Sequence, residues 1–377
     1  MPKSRSKIMK KVMGKEPPAP PSSTRRRGRK TTKSGEEDPA AGQGGSPAAS
    51  DGEIPFVGTT SRSPRDPPAT PAVGELVLER ERLLSQSRAA STHSTYTQAW
   101  ESFQSFRSAY HFSLSANPTL EQIVQFIAYL SLNGYAAATL ATYIAGLSFH
   151  LQSRGLRDVT QCFIVRRMLD GSKRGRISRD VRCPITLSIL SRMLVALPHV
   201  CASSFDALLF RTAFLVAFFA FLRVGEFTVR ARNHTPTLRL IDVRLHSGKA
   251  ALELHLRSSK TDQGGAGCYI ILPSNESKSL CPVAAASAYV AVRPRGSEAF
   301  FVRYDGAPLV RKDFNNILKR CVEFVRLPVA LFSSHSFRIG AATSAATAGI
   351  PDARIKGMGR WSSNTFRRYI RIDKIFS

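Results

Sequence analysis

The chain has 377 residues, 43% of them apolar, and a net charge of +27 with a pI near 10.6. That is enough apolar side chain for two or three cored domains, with a cationic excess suited to a polyanionic partner, nucleic acid above all. The most apolar run, residues 208–222, is interrupted by Arg211 and is too short for a bilayer span of about 20 residues. The N-terminus also lacks a secretory apolar segment, so export is not expected and an intracellular protein is.

Residues 1–74 are rich in Pro, Ser, Gly and Ala and carry fourteen Lys/Arg against seven Asp/Glu, a net +7, so +20 of the +27 lies on residues 75–377. Without a periodic apolar pattern this stretch cannot offset its chain entropy, and it reads as a disordered basic tail. Within it Arg25, Arg26, Arg27, Arg29 and Lys30 suit a nuclear localisation signal or an electrostatic grip on DNA.

Over 75–170 the pattern is helical. Tyr96, Trp100, Phe103 and Phe106 form one stripe, read as core and not as a base-stacking platform. Thr119 and Gln122 make a capping box ahead of Ile123, Phe126, Ile127 and Leu130, and Gly134 ends that helix. A further helix starts near Thr139 and carries Leu140, Tyr143, Ile144, Leu147 and Leu151, with Gly155 as its C-cap. Residues 171–182, basic and glycine-containing, read as an exposed linker. Residues 183–377 open with helices over 186–197 and 204–222. Strands are expected over 238–245, 252–256 and 268–272, the last two joined by a turn over 260–267, and helices over 282–292, 311–326, 336–348, 352–358 and 362–371.

The six cysteines are scattered, with no CxxC pair and no zinc-finger spacing, which points to reduced, mostly buried thiols. Neither a phosphate-binding P-loop nor an acidic metal cluster is present in the pattern, so no cofactor and no metal is expected.

The chemistry concentrates at the C-terminal end. There His335 precedes Arg338 by three residues, Gly359, Arg360 and Trp361 follow, and Tyr369 stands among Arg367, Arg368 and Arg371. A phenol among guanidiniums can serve as a phosphate nucleophile, because fixed positive charge favours phenolate and holds the anion it attacks. Upstream, an apolar helix runs into Arg223 with Glu226 one turn later, and Lys260 sits in the expected hairpin turn.

In this order the motifs resemble the tyrosine recombinases, the phage integrase family, over residues 75–377. The wording SSKTDQ, HSFRIGAATSAA and GRWSSNTFRRYIR is most similar to the recombinases of DIRS-like and Ngaro-like eukaryotic retrotransposons. The resemblance implies a mainly α chain: a helical core-binding DNA-binding domain over 75–170, the basic linker 171–182, and an α+β catalytic domain over 183–377 with a small antiparallel sheet. It implies further that Arg223 and Arg338 hold the scissile phosphate, that Tyr369 attacks it to leave a 3′-phosphotyrosyl link, and that Lys260 protonates the departing 5′-oxygen. His335 would handle a proton near the nucleophile. Trp361 would fill the family's His/Trp position, and Glu226 its acidic position after the first arginine.

Two features depart from the pattern. The interval from Trp361 to Tyr369 is one residue short, and an ungapped match to the His-containing members puts Arg360 in that place instead. Only eight residues follow Tyr369, so an additional C-terminal helix for docking a neighbouring subunit is expected to be absent or very short. The expected partners are duplex DNA and further copies of the chain in a tetramer, with no membrane, in the nucleus. A non-catalytic DNA-binding protein descended from a mobile element, and a type IB topoisomerase, are the competing readings.

Overall fold

The computed structural model describes residues 70–175, 180–246, 248, 250–257 and 266–375. The basic tail up to residue 69, the centre of the expected linker and the hairpin turn with Lys260 lie outside them. The described residues divide into two compact units, one on either side of residues 177 and 178.

The first unit holds α1 (Val73–Gln86), α2 (Ala90–Ala109), α3 (Leu120–Leu132), α4 (Ala137–Ser153) and α5 (Phe163–Gly175). The α3 N-terminus is fixed by the expected capping box: Thr119 Oγ1 accepts from Gln122 N and Gln122 returns to Thr119 N. Its core joins Phe103 and Phe106 of α2 to Ile123, Phe126 and Leu130 of α3 and to Leu140, Ile144 and Leu147 of α4, so the aromatic stripe is core. Gly146 lets α4 cross α2 closely, since a Cβ there would lie 2.9 Å from the Ala99 methyl. Helix α1 buries none of its residues. Helix α5 continues through Gly175, five residues into the stretch expected as linker, and its last turn carries Lys173 and Arg174, cations favourably placed at a helix C-terminus.

The second unit is built on α6 (Leu187–Val200) and α7 (Ser204–Phe219), followed by β1 (Val243–Leu245), β2 (Ala251–Leu256) and β3 (Cys268–Pro273). After the strands come α8 (Pro282–Val292), α9 (Arg311–Phe324), α10 (His335–Thr347) and α11 (Asp352–Met358). Helix α7 is capped by Ser203 and apolar almost all round, so it forms the centre: Phe210, Phe214 and Phe218 are fully buried and Phe214 meets Phe314 of α9 and Phe337 of α10 edge-on or tilted. The strands form one antiparallel sheet in the order β1-β2-β3, with Val243 opposite Leu254 and Leu252 opposite Leu272. On β2 the buried Leu252, Leu254 and Leu256 alternate with Glu253 and His255, the two-residue period of a one-sided core face.

Three expectations need correction. Helix α7 ends at Phe219, not 222, because Leu222 N turns back to Ala217 O and Phe221 takes a left-handed φ of +51°, the geometry of a helix C-cap. The expected strand over 238–245 survives only as β1. Asp242 accepts from Arg239 N at 3.1 Å and closes a 3-10 turn over Leu240–Asp242. The expected helix over 362–371 is a 3-10 turn, Asn364–Tyr369, and a second one, Ile372–Lys374. Thr343 of α10 draws off the backbone groups that a continuing helix would use: its Oγ1 donates to Tyr369 O at 3.1 Å and accepts from Arg371 N at 3.0 Å.

Candidate active site

Arg223, the pair His335 and Arg338 on α10, Trp361 and Tyr369 come from four segments of the second unit and converge. Arg338 projects from the first turn of α10 and is fully buried. Its two Nη atoms donate to Phe221 O and Gly359 O, so the left-handed C-cap of α7 and the turn after α11 together fix the guanidinium. Its Nε has no partner. The guanidinium carbon lies 4.3 Å from the Trp361 ring centroid and 5.7 Å from that of Tyr369, within cation–π range. Burial first, then Arg223 and Arg360, push its pKa below the ordinary arginine range. A desolvated cation beside two others is a strong anion trap.

Arg223 stands just after the α7 C-cap and ahead of the 3-10 turn Val224–Glu226. Its Nη1 donates to Glu226 Oε1 at 2.9 Å and its backbone N to Glu226 Oε2 at 2.9 Å. Arg360, with a left-handed φ of +54°, donates from Nη1 to Ala220 O at 3.1 Å and from Nη2 to the same Glu226 Oε2 at 2.8 Å. Three guanidiniums thus gather here with the single carboxylate of Glu226 among the described residues, and the surplus charge is positive.

Trp361 is buried and its ring meets Phe221 at 6.1 Å, Tyr369 at 4.9 Å and Phe366 at 6.2 Å. It folds back over Gly359, where an added Cβ would lie 1.7 Å from the indole; the Gly-Arg-Trp order is therefore a packing requirement. The ring packs against the tyrosine segment, while its Nε1 is buried without a partner. Gly340 has a similar role on α10: a Cβ there would lie 1.8 Å from Ile185 O, which holds the start of the unit against the helix bearing His335 and Arg338.

The half-buried His335 ring lies 5.0 Å from the Tyr369 ring. Burial, helped by Arg182, Arg338 and Arg223, lowers its pKa to about 4, so the imidazole is neutral at neutral pH and can accept a proton. Tyr369 is half-buried and held by its carbonyl to Thr343. Lys260 lies outside the described residues. Ahead of it, just past the end of β2, Arg257 Nε donates to the buried Asp242 carboxylate at 2.8 Å.

Four contributors carried no sequence signal. Arg371 donates to the Asp180 carboxylate and to Arg182 O, and Arg182 itself pairs with Asp180 at 2.8 Å. This ties the chain after Tyr369 to the first residues of the unit, and the Arg182 and Arg371 bonds hold the Asp180 carboxyl well below the usual carboxylate range. Thr343 is the third contributor beyond Asp180 and Arg182, and the carbonyl of Phe221 the fourth. Only Arg371 among these neighbours stood out, as one basic residue of a run. Among the described residues no His, Cys, Asp or Glu cluster suits a metal ion, no helix is long and apolar enough to cross a membrane, and the six cysteines form no disulfide, three of them being buried.

A mainly helical chain with a small three-stranded antiparallel sheet arranged in this way has the tyrosine-recombinase fold. No family model and no curated protein sequence matches the chain. Solved structures do. XerH site-specific recombinase bound to a palindromic difH substrate, in a post-cleavage complex, is similar with a TM-score of 0.52 and 14% identity over 75% of this chain and 76% of that one. A lambda integrase dimer bound to a COC′ core site gives 0.52 and 14% over 81% and 78%. A lambda integrase tetramer bound to a Holliday junction gives 0.51 and 15% over 78% and 76%. At such identities the likeness is one of fold.

Proposed function

We propose that this protein is a site-specific DNA recombinase or integrase that breaks and rejoins DNA through a 3′-phosphotyrosyl intermediate, encoded by a mobile element of the DIRS-like or Ngaro-like kind and acting in the nucleus. The observation that carries the reading is the convergence of Tyr369 with His335 at 5.0 Å and with the buried cation of Arg338 at 5.7 Å. Arg223 and Arg338 hold the non-bridging oxygens and stabilise the charge that builds in the pentacoordinate transition state. Tyr369 Oη forms a bond to phosphorus as the bond to the 5′-oxygen breaks. His335 accepts the phenolic proton, and Lys260 supplies one to the leaving oxygen. The phosphodiester energy stays in the tyrosyl ester, so rejoining to another strand needs neither nucleotide nor metal.

In this reading residues 75–170 bind DNA, residues 183–377 cleave it, and four copies act on two duplexes. The solved relatives in dimeric and tetrameric DNA complexes are in keeping with that assembly. The test uses a suicide substrate: a duplex selected from a random pool by retention on the protein, then nicked beside the selected site. Wild type is expected to give a protease-sensitive covalent protein–DNA band and Tyr369→Phe none. No band from wild type that still binds DNA would replace the reading with a non-catalytic binding protein. Relaxation of supercoiled plasmid by a monomer without sequence preference would replace it with a type IB topoisomerase.

A further inference from the structure

We infer that Arg360 is a positioning residue, which occupies one oxygen of Glu226 so that Arg223 is left free to grip phosphate. This deepens, and rests on, the strand-transfer reading above. The two arginines share the buried Glu226 unequally. Arg223 gives its carboxylate one guanidinium bond, Nη1 to Oε1 at 2.9 Å, and keeps a side-chain exposure of 21%. Arg360 uses both Nη atoms on the protein, to Ala220 O at 3.1 Å, Phe221 O at 3.5 Å and Glu226 Oε2 at 2.8 Å, at 14% exposure. Arg360 can turn Nη2 to a phosphate only by breaking its ion pair with Glu226, whereas Arg338 is held by neutral carbonyls alone and keeps its charge for an anion.

The backbone supports a fixed role. Arg360 keeps a left-handed φ of +54°, a conformation that L-residues rarely adopt, and its side chain reaches the α7 C-cap while the Trp361 ring lies over Gly359. The carbonyl of Phe221 accepts from both Arg338 and Arg360. Arg360 therefore ties the element bearing Arg223 to the turn whose Gly359 carbonyl holds Arg338. Without Arg360, Glu226 Oε2 keeps only the bond from Arg223 N, and a second guanidinium bond from Arg223 to the carboxylate competes directly with the phosphate.

The experiment follows single-turnover adduct formation on the nicked duplex, together with the salt dependence of DNA binding, for wild type, Arg360→Met, Arg360→Lys and the double variant Arg360→Met/Glu226→Gln. Arg360→Met is expected to slow the adduct step by about 100-fold, the scale of a misplaced catalytic group, with the slope of log K against log salt unchanged. The double variant is expected to recover at least several-fold, because a neutral amide releases Arg223. Arg360→Lys, which retains one contact to Glu226, is expected to fall between wild type and Met and keeps the test open if Met fails to fold.

A slope reduced by about 0.9 would mean that Arg360 itself neutralises a phosphate and would overturn the inference. An unslowed Met variant would do the same, as would a double variant no faster than the single one. Absence of an adduct from wild type removes the strand-transfer reading, and this inference with it; an adduct from wild type that Arg360→Met leaves untouched removes the inference alone.

Discussion

His335 is the residue whose surroundings most change its chemistry. The imidazole sits at the start of α10 among Arg182, Arg338 and Arg223, and burial with those cations lowers its pKa to about 4, against about 6.5 in an unfolded chain. Between those values the unfolded chain binds more protons than the folded one, so stability rises with pH through this window. It is fully present above about pH 6.5 and is lost as pH falls toward 4. Asp180, with a depressed pKa, adds a loss in the same direction at still lower pH. Urea unfolding at pH 7 and pH 4.5 is therefore expected to show wild type losing about 1 to 2 kcal/mol more than His335→Gln over that interval, after allowance for partial exposure. Equal losses would mean that the ring is not held neutral by its surroundings. A bound phosphate would act oppositely, since an anion beside the ring favours imidazolium. Docking of DNA would then raise the basicity of His335, the group proposed to take the Tyr369 proton.

At the level of elements the weak joint is between α10 and the 3-10 turn that carries Tyr369. Thr343 is fully buried, and its single hydroxyl serves Tyr369 O and Arg371 N together. Thr343→Val keeps the shape and removes both bonds, leaving two backbone groups unsatisfied at about 1 kcal/mol or more each. The expected result is faster amide hydrogen exchange over residues 367–374 with the rest of α10 unchanged, and a slower adduct step. Unaltered exchange there would show that the Asp180–Arg371 tie alone holds the segment. The same hydroxyl explains why the sequence pattern misleads at this point. The run 362–371 has helical spacing, but spacing does not register a partner twenty-six residues upstream. The helices with strong apolar periodicity and local caps, such as α3 with Thr119 and Gln122, were legible because their signals are short-range. So was the order Arg223, His335, Arg338, Tyr369, carried by local motifs. What links those motifs was not legible: the Phe221 carbonyl, the Asp180 tie and the sharing of Glu226 depend on a left-handed C-cap and on contacts across more than a hundred residues. The choice between Arg360 and Trp361 was open for the same reason, because adjacent residues can diverge completely when one of them has a positive φ.

At the scale of the whole molecule the governing quantity is where the charge sits. Residues 75–377 hold +20 of the +27, and a clamp that grips a duplex with its folded units needs its phosphate contacts there and not only in the tail. The two contributions can be separated, since each phosphate neutralised adds about 0.9 to the slope of log K against log salt. Replacing Arg25, Arg26, Arg27, Arg29 and Lys30 with alanine removes five cations, so the slope is expected to fall by no more than about 4.5. A substantial salt dependence from the folded residues should remain. Filter binding of duplex DNA between 50 and 300 mM salt, wild type against the five-alanine variant, reads both terms. If the variant lost nearly all salt dependence, the tail would be the whole electrostatic grip, and the unit bearing Tyr369 would not be holding the backbone it is proposed to cut. A retained slope puts the cationic grip on residues 75–377, the span that also holds the three guanidiniums around Glu226 proposed to act on a phosphate.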